Sequence, residues 1–195
     1  MPSKTERKSI FYKFLSIFSV VRVFNILLII LAQYLTSIYI LSDKNIFDVV
    51  LDYKLFLIIF CSSIAIASGY IINNFYDEKK DMINKPEKYK IDDFVKSSTK
   101  LYFYFTLNFI VVIISYFLIG SIKAVLFFSI YIFFLWFYSH KLKRILFLSN
   151  LFYAILTITP FFAILLYYKN FDFINDEKIS IIIAFALFLF FIILL

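Results

Sequence analysis

Six long runs of apolar residues dominate this chain and constrain its fold more than any other feature. They run approximately Arg22–Leu41, Leu55–Tyr76, Leu101–Ile119, Ala124–Tyr138, Leu151–Tyr168 and Ile179–Leu195. A bilayer-spanning α-helix needs about 20 mainly apolar residues. The runs lack two-residue alternation, and lipid forbids open sheet edges, which excludes spanning strands. The expected fold is an all-α polytopic membrane helical bundle. Residues 1–21 read as a cytoplasmic amino-terminal segment and residues 22–195 as one transmembrane domain.

Composition agrees. Of 195 residues, 63% are hydrophobic and only 2 are Gly, against about 45–50% apolar in a soluble domain. A water-soluble fold of this length has no interior for so many Phe, Ile and Leu side chains. The formal charge of +7 lies between the spans and not on one folded face. That excludes nucleic acid as the partner and fits cytoplasmic loops beside an anionic bilayer. Fifteen Lys and Arg fall in the amino-terminal stretch, the 77–100 loop and the loop at 141–144, against five on the other side. The amino terminus and both basic loops are therefore expected in the cytoplasm. No small-residue cleavage site follows the first apolar stretch, so no signal peptide is expected. Cys61 is the sole cysteine and reads as a small buried apolar residue.

The informative segment is Ser68-Gly-Tyr-Ile-Ile-Asn-Asn-Phe-Tyr-Asp-Glu-Lys-Lys-Asp-Met-Ile-Asn-Lys-Pro86. Pro86 disfavours helical geometry at Lys85, which places the end of the second helix near Asn84. A short interfacial helix is expected over Tyr89–Ser98. If the second helix continues through the segment, Asn73, Asp77 and Asp81 fall at i, i+4 and i+8 on one stripe. Adjacent members lie about 5–6 Å apart at Cβ, whereas Asn73 and Asp81 are about 12 Å apart along the axis. One Mg²⁺ fits between Asn73 and Asp77, with Asp81 serving a second ion or acting through water. Mg²⁺ takes carboxylate and carbonyl oxygens and favours substrate phosphates as its remaining ligands. Spacing alone fits two readings: a cation site for a lipid diphosphate, or a solvated helix end with Asp77 and Asp81 balanced by Lys80 and Lys85.

The stretch ASGYIINNFYDEKKDMINKP closely resembles the first Asp-rich motif of the UbiA family of intramembrane prenyltransferases, Asn-Asp-x-x-Asp-x-x-x-Asp. Asn73, Asp77 and Asp81 match, and Asn74 departs from the usual Asp. The tail Asn84-Lys85-Pro86 looks more like the geranylgeranylglycerol-phosphate geranylgeranyltransferase branch, with chlorophyll synthases, than the haem farnesyltransferases. VRVFN at 21–25 resembles the family's opening Arg-x-x-Asn. YSHKLKRILFLSN at 138–150 resembles its loop after the fourth helix.

The resemblance implies Mg²⁺-dependent transfer of an isoprenyl group from an allylic prenyl diphosphate to an electron-rich acceptor. Asp77 and Asp81 would be catalytic. Asn73, Asp77 and Asp81 would hold metal, and Arg22, Asn25, Lys141, Lys143 and Arg144 would bind substrate. It also implies a multi-pass location, in a bacterial inner membrane by family analogy. Family members have about nine spans, of which six are expected here, and their second Asp-rich motif follows the sixth. Asp172, Asp176 and Glu177 lie on the opposite side and cannot replace it. The chain is therefore expected to be a fragment or a truncated relative.

Plainer roles stand beside these. Arg22 could anchor its helix at the headgroups, and Asn25 could make an inter-helix hydrogen bond. Lys143 and Arg144 could simply set topology. His140 reads as a solvated loop residue, Lys79, Lys88, Lys90 and Lys96 as a cytoplasmic surface, and Pro160 as a kink. The alternative to an enzyme is a non-catalytic multi-pass protein, either a scaffold or a degenerate relative. A transporter would place polar groups at mid-membrane depth, and here they cluster at span ends.

Overall fold

A computed structural model of the chain describes residues 4–169 together with 180, 183 and 184. All regular structure among these residues is helical. In chain order the elements are α1 (Lys4–Val21), α2 (Val23–Thr36, continued by a π-helical turn to Leu41), α3 (Ile46–Val50) and α4 (Tyr53–Asn84). Then come α5 (Pro86–Asp92), α6 (Ser97–Ile113, with a π-helical turn to Leu118), α7 (Ile122–His140) and α8 (Leu146–Lys169). Among the described residues five helical stretches are long and apolar enough to cross a bilayer: Val23–Leu41, Tyr53–Asn84, Ser97–Phe117, Ile122–Arg144 and Leu148–Lys169. These match the first five expected spans. Of the sixth, only residues 180, 183 and 184 are described, and Asp172, Asp176 and Glu177 fall outside.

α4 is the hub, packing against α1, α2, α5, α6, α7 and α8. Its sequence explains why. Ser62, Ser63, Ala65, Ser68 and Gly69 are buried, and such small residues let neighbouring backbones approach closely. A Cβ on Gly69 would meet Leu135 Cδ2 at 3.1 Å, so this glycine sets the closest approach of α7. The serine hydroxyls need partners in a dry interior, and Ser62 and Ser63 donate to the carbonyls of Ile58 and Ile59. Outward-facing Phe24, Phe47, Leu51, Tyr102 and Phe117 are largely exposed. In water they would form an aggregating surface, whereas lipid is their ordinary surrounding.

Pro160 lies inside α8. It has no N–H to donate, which frees the carbonyl of Leu156. The hydroxyl of buried Tyr131 from α7 donates to that carbonyl at 3.1 Å. The Pro160 carbonyl accepts from Gln33 Nε2 of α2 at 2.9 Å. The break in α8 is thus mended by side chains of two other helices.

Three boundaries differ from expectation. Residues 1–21 include a helix, α1, that packs on α4 and α5. α4 runs on past Tyr76 to Asn84, because Glu78, Lys79 and Lys80 are good helix formers once outside lipid. The short helix begins at Pro86 and ends at Asp92, earlier than Tyr89–Ser98, because proline is pre-shaped for the first helical position.

Candidate functional site

The α4 residues at positions 66, 69, 70, 73, 77 and 80 follow helical three- and four-residue spacing. This stripe forms one wall of a cavity of about 570 Å³, closed by α2, α7 and α8. The two ends of the cavity differ in chemistry. Leu28, Ile29, Ile66, Leu135, Leu156 and Pro160 make one end apolar. Arg22, Asn25, Asn73, Asp77, Lys80 and Lys143 make the other end polar. Tyr70, Tyr131, Tyr138 and Tyr153 also line it.

The polar end is organised by Lys143. The tight turn Leu142–Arg144 after α7 brings its ammonium 2.7 Å from Asp77 Oδ1 and 3.1 Å from Asn73 Oδ1. The two α4 side chains therefore aim oxygens at one shared cation position. A charge-assisted contact of this kind is stronger when half-buried than on an open surface, and both side chains are only 15–20% exposed.

Arg22 separates α1 from α2 in a left-handed conformation, φ 53° and ψ 52°. A non-glycine residue there carries about 1–2 kcal/mol of strain. The break turns its guanidinium over the ring of Tyr70, 5.1 Å from the centroid, a cation–π distance. Asn25 Nδ2 lies 3.5 Å from the Tyr70 hydroxyl. Arg22 and Asn25 thus meet Asn73 and Asp77 at one rim.

Other expected residues do not join them. Asp81 is off the cavity wall, and its nearest cation is Lys88 at 3.7 Å. Lys141 and Arg144 are exposed and line no part of the cavity, because the turn sends only Lys143 inward. His140 is the last residue of α7 and half-buried, contrary to the solvated-loop reading. Its ring stacks on Trp136 at 5.4 Å, one turn earlier on the same face. Lys88 is likewise no free surface lysine, since it pairs with Asp92 at 2.9 Å.

Asn74 sits about 100° around the helix from Asn73 and faces away from the cavity. It is 6% exposed and donates through Nδ2 to Asp92 Oδ2 at 2.7 Å. Asp92 itself is buried and also accepts from Ser19 at 2.7 Å and from Lys88. Asn74, Asp92, Lys88 and Ser19 tie α4, α5 and α1 together at the same end of the bundle as the polar rim. An Asp at position 74 would set a second carboxylate against Asp92.

Sequence reasoning missed Tyr70, Lys80 and the tyrosines from α7 and α8. Tyr70 and Lys80 were available from the α4 periodicity, being three before Asn73 and three after Asp77. The others depend on how the helices pack.

Among the described residues no group of three or more His, Cys, Asp or Glu side chains converges as a metal cluster. The donors that do converge are the Asn73 and Asp77 oxygens, already placed around an ammonium nitrogen. Such a pair fits a hard cation that draws its remaining ligands from water and phosphate.

Residues 30–195 match the model of the UbiA prenyltransferase family. No curated protein and no solved structure matches the chain. The matched stretch takes in α4, α7 and α8, three of the four cavity walls. The five membrane-length helices among the described residues and their amphiphilic cavity agree with that match, and the chain belongs to the UbiA prenyltransferase family.

Proposed function

We propose that this chain binds an allylic isoprenyl diphosphate in the α2–α4–α7–α8 cavity and transfers its prenyl group to an electron-rich acceptor. The observation that carries this reading is the division of one cavity into a cationic, oxygen-bearing rim and an apolar depth. Lys143, Arg22 and Lys80 supply the positive charge that a diphosphate needs. The apolar end takes the hydrocarbon tail, and Asn73 and Asp77 would hold Mg²⁺. The bound ion would neutralise charge on the departing diphosphate.

In the reaction the allylic C–O bond breaks and both electrons leave with the diphosphate. Lys143 and Arg22 stabilise that anion. The positive charge left on the allylic carbon faces tyrosine rings, whose quadrupoles stabilise cations. The acceptor then attacks the carbon and gives up a proton. Asp81, off the rim and 3.7 Å from Lys88 of α5, would serve a second ion or act through water. The likeness of the Asn84-Lys85-Pro86 tail to that of the geranylgeranylglycerol-phosphate geranylgeranyltransferases favours that branch. We place the rim, α5 and the amino terminus on the cytoplasmic side, where basic residues concentrate.

The test is equilibrium binding of geranylgeranyl diphosphate, with and without Mg²⁺, to the protein in phosphatidylcholine nanodiscs. The wild type should bind, Mg²⁺ should tighten binding, and Asp77→Ala should abolish the Mg²⁺ effect. Product formation with candidate acceptors would then identify the branch. A wild type that ignores the diphosphate in both conditions would leave the non-catalytic scaffold as the better account.

A further inference from the structure

Two cavities lie end to end along the seam where α4, α7 and α8 meet. The first is the diphosphate cavity, whose apolar end reaches Ile66, Tyr131 and Pro160. The second, of about 460 Å³, sits at the opposite end of the bundle, and Ile58, Phe128 and Ala163 are among its walls. On α7 and α8 only three positions part them, Tyr131 from Phe128 and Pro160 from Ala163, about 4.5 Å of helix. The material between is buried. Gln33, Ser62, Phe128 and Tyr131 are each at most 3% exposed, and Ser62 falls midway between Ile58 and Ile66. The rings of Phe127, Phe128 and Tyr131 form one partition, with Phe127 centred 5.3 Å from Phe128 and 6.5 Å from Tyr131. This partition is pinned. The Tyr131 hydroxyl donates to the Leu156 carbonyl, and the Gln33 amide donates to the Pro160 carbonyl. Swinging either aside would leave a carbonyl orphaned inside the membrane.

We infer that Phe128 and Tyr131 are the stop that sets the longest isoprenyl tail this protein takes in. The inference rests on the diphosphate reading above. With the diphosphate at Asn73 and Asp77, the tail runs along α4 past Tyr70 and Ile66, and its far end meets the Tyr131 ring. From Asn73 to Ile66 is about 10 Å of helix, and from Ile66 to Ile58 is about 12 Å more. Opening the partition would therefore roughly double the depth along α4. Selection by length is steric. A tail that does not fit loses little by staying in the bilayer, because lipid chains are as apolar as the cavity wall. Forcing it against a pinned, close-packed partition is what costs affinity.

The experiment measures equilibrium binding of geranyl, farnesyl, geranylgeranyl and hexaprenyl diphosphates, with Mg²⁺, to the protein in phosphatidylcholine nanodiscs. The wild type should bind hexaprenyl diphosphate roughly tenfold more weakly than geranylgeranyl diphosphate, the scale of an overpacked contact. Phe128→Ala should bring the two to equal affinity by joining the cavities. Because this variant empties a buried site, a second one works in the other direction. Ile66→Phe, which fills space in front of the partition, should lower the ratio of geranylgeranyl to geranyl affinity by roughly tenfold. A wild type that binds all four equally would show the tail leaving sideways into lipid, and would overturn this inference while leaving the proposed function standing. An unchanged length preference in both variants would overturn it as well. A wild type that binds none of the four would remove the diphosphate reading and this inference together.

Discussion

Replacing Asn74 by Asp would bring this chain closer to the usual family motif, yet it should destabilise the fold. The amide donates to Asp92 Oδ2 at 2.7 Å inside a buried cluster. In the variant two carboxylates stand about 3 Å apart. At an effective dielectric near 20 their repulsion is roughly 5 kcal/mol. Lys88, 2.9 Å from the same Asp92 oxygen, offsets roughly half of that. Loss of the charge-assisted hydrogen bond adds about 1.5–3 kcal/mol. Protonating one carboxyl sets a ceiling: holding a group of pKa about 4 protonated near pH 7 costs about 4 kcal/mol. The net expectation is a loss of roughly 2–4 kcal/mol at neutral pH.

The sign with pH follows from linkage. The variant pair binds a proton more tightly when folded than unfolded. Its stability is therefore fullest below the unfolded carboxylate pKa of about 4 and falls as pH rises toward the folded value. The assay is thermal unfolding in detergent, followed by Trp136 fluorescence, at about pH 5 and about pH 7.5. Asn74→Asp should unfold earlier than the wild type, and the gap should widen at the higher pH. The exchange Asn74→Asp with Asp92→Asn should recover part of the loss, because one donor and one carboxylate face each other again. A single variant as stable as the wild type at both pH values would refute the cluster and return Asn74 to the cavity side.

Three further outcomes are expected. Tyr131→Phe removes the donor to the Leu156 carbonyl at the Pro160 break and should cost about 1–3 kcal/mol in the same unfolding assay, with prenyl diphosphate affinity changed less than stability. Lys143→Met should weaken prenyl diphosphate binding on the order of 10–100-fold in calorimetry, with the folded state retained. Lys90→Cys tests orientation: Lys90 is well exposed and the native Cys61 is fully buried, so a membrane-impermeant maleimide should label the variant only in inside-out vesicles.

The spans were legible because lipid imposes a single rule: about 20 apolar residues must pair their own backbone groups. Pro86 and the Asn73–Asp77 spacing were legible because they are local. What escaped depended on contacts between distant segments. Lys143 meets Asn73 across 70 positions, and nothing in the basic loop distinguishes it from Lys141 or Arg144 until the turn is built. Asn74 looked like a weakened motif. Its partner Asp92 lies beyond a helix break, on an element that the sequence placed too late. His140 was misjudged because polarity was weighed above its stacking on Trp136.

The length of α4 explains why these polar groups can exist in so apolar a protein. Its 32 residues extend about 48 Å at 1.5 Å per residue, well beyond a hydrocarbon core of about 30 Å. Asn73 lies 20 residues after Tyr53, about 30 Å along the axis. The stripe therefore crosses from lipid to headgroup depth at Asn73. Before it come Ile66 and Gly69; after it come Asp77 and Lys80. Charges further back would face a desolvation cost of several kcal/mol, and charges further forward would be screened by water. A cavity straddling that boundary suits a molecule with an anionic head and a long apolar tail. A soluble phosphate would leave the apolar end empty, and a plain hydrocarbon would strand Lys143 and Asp77 against it.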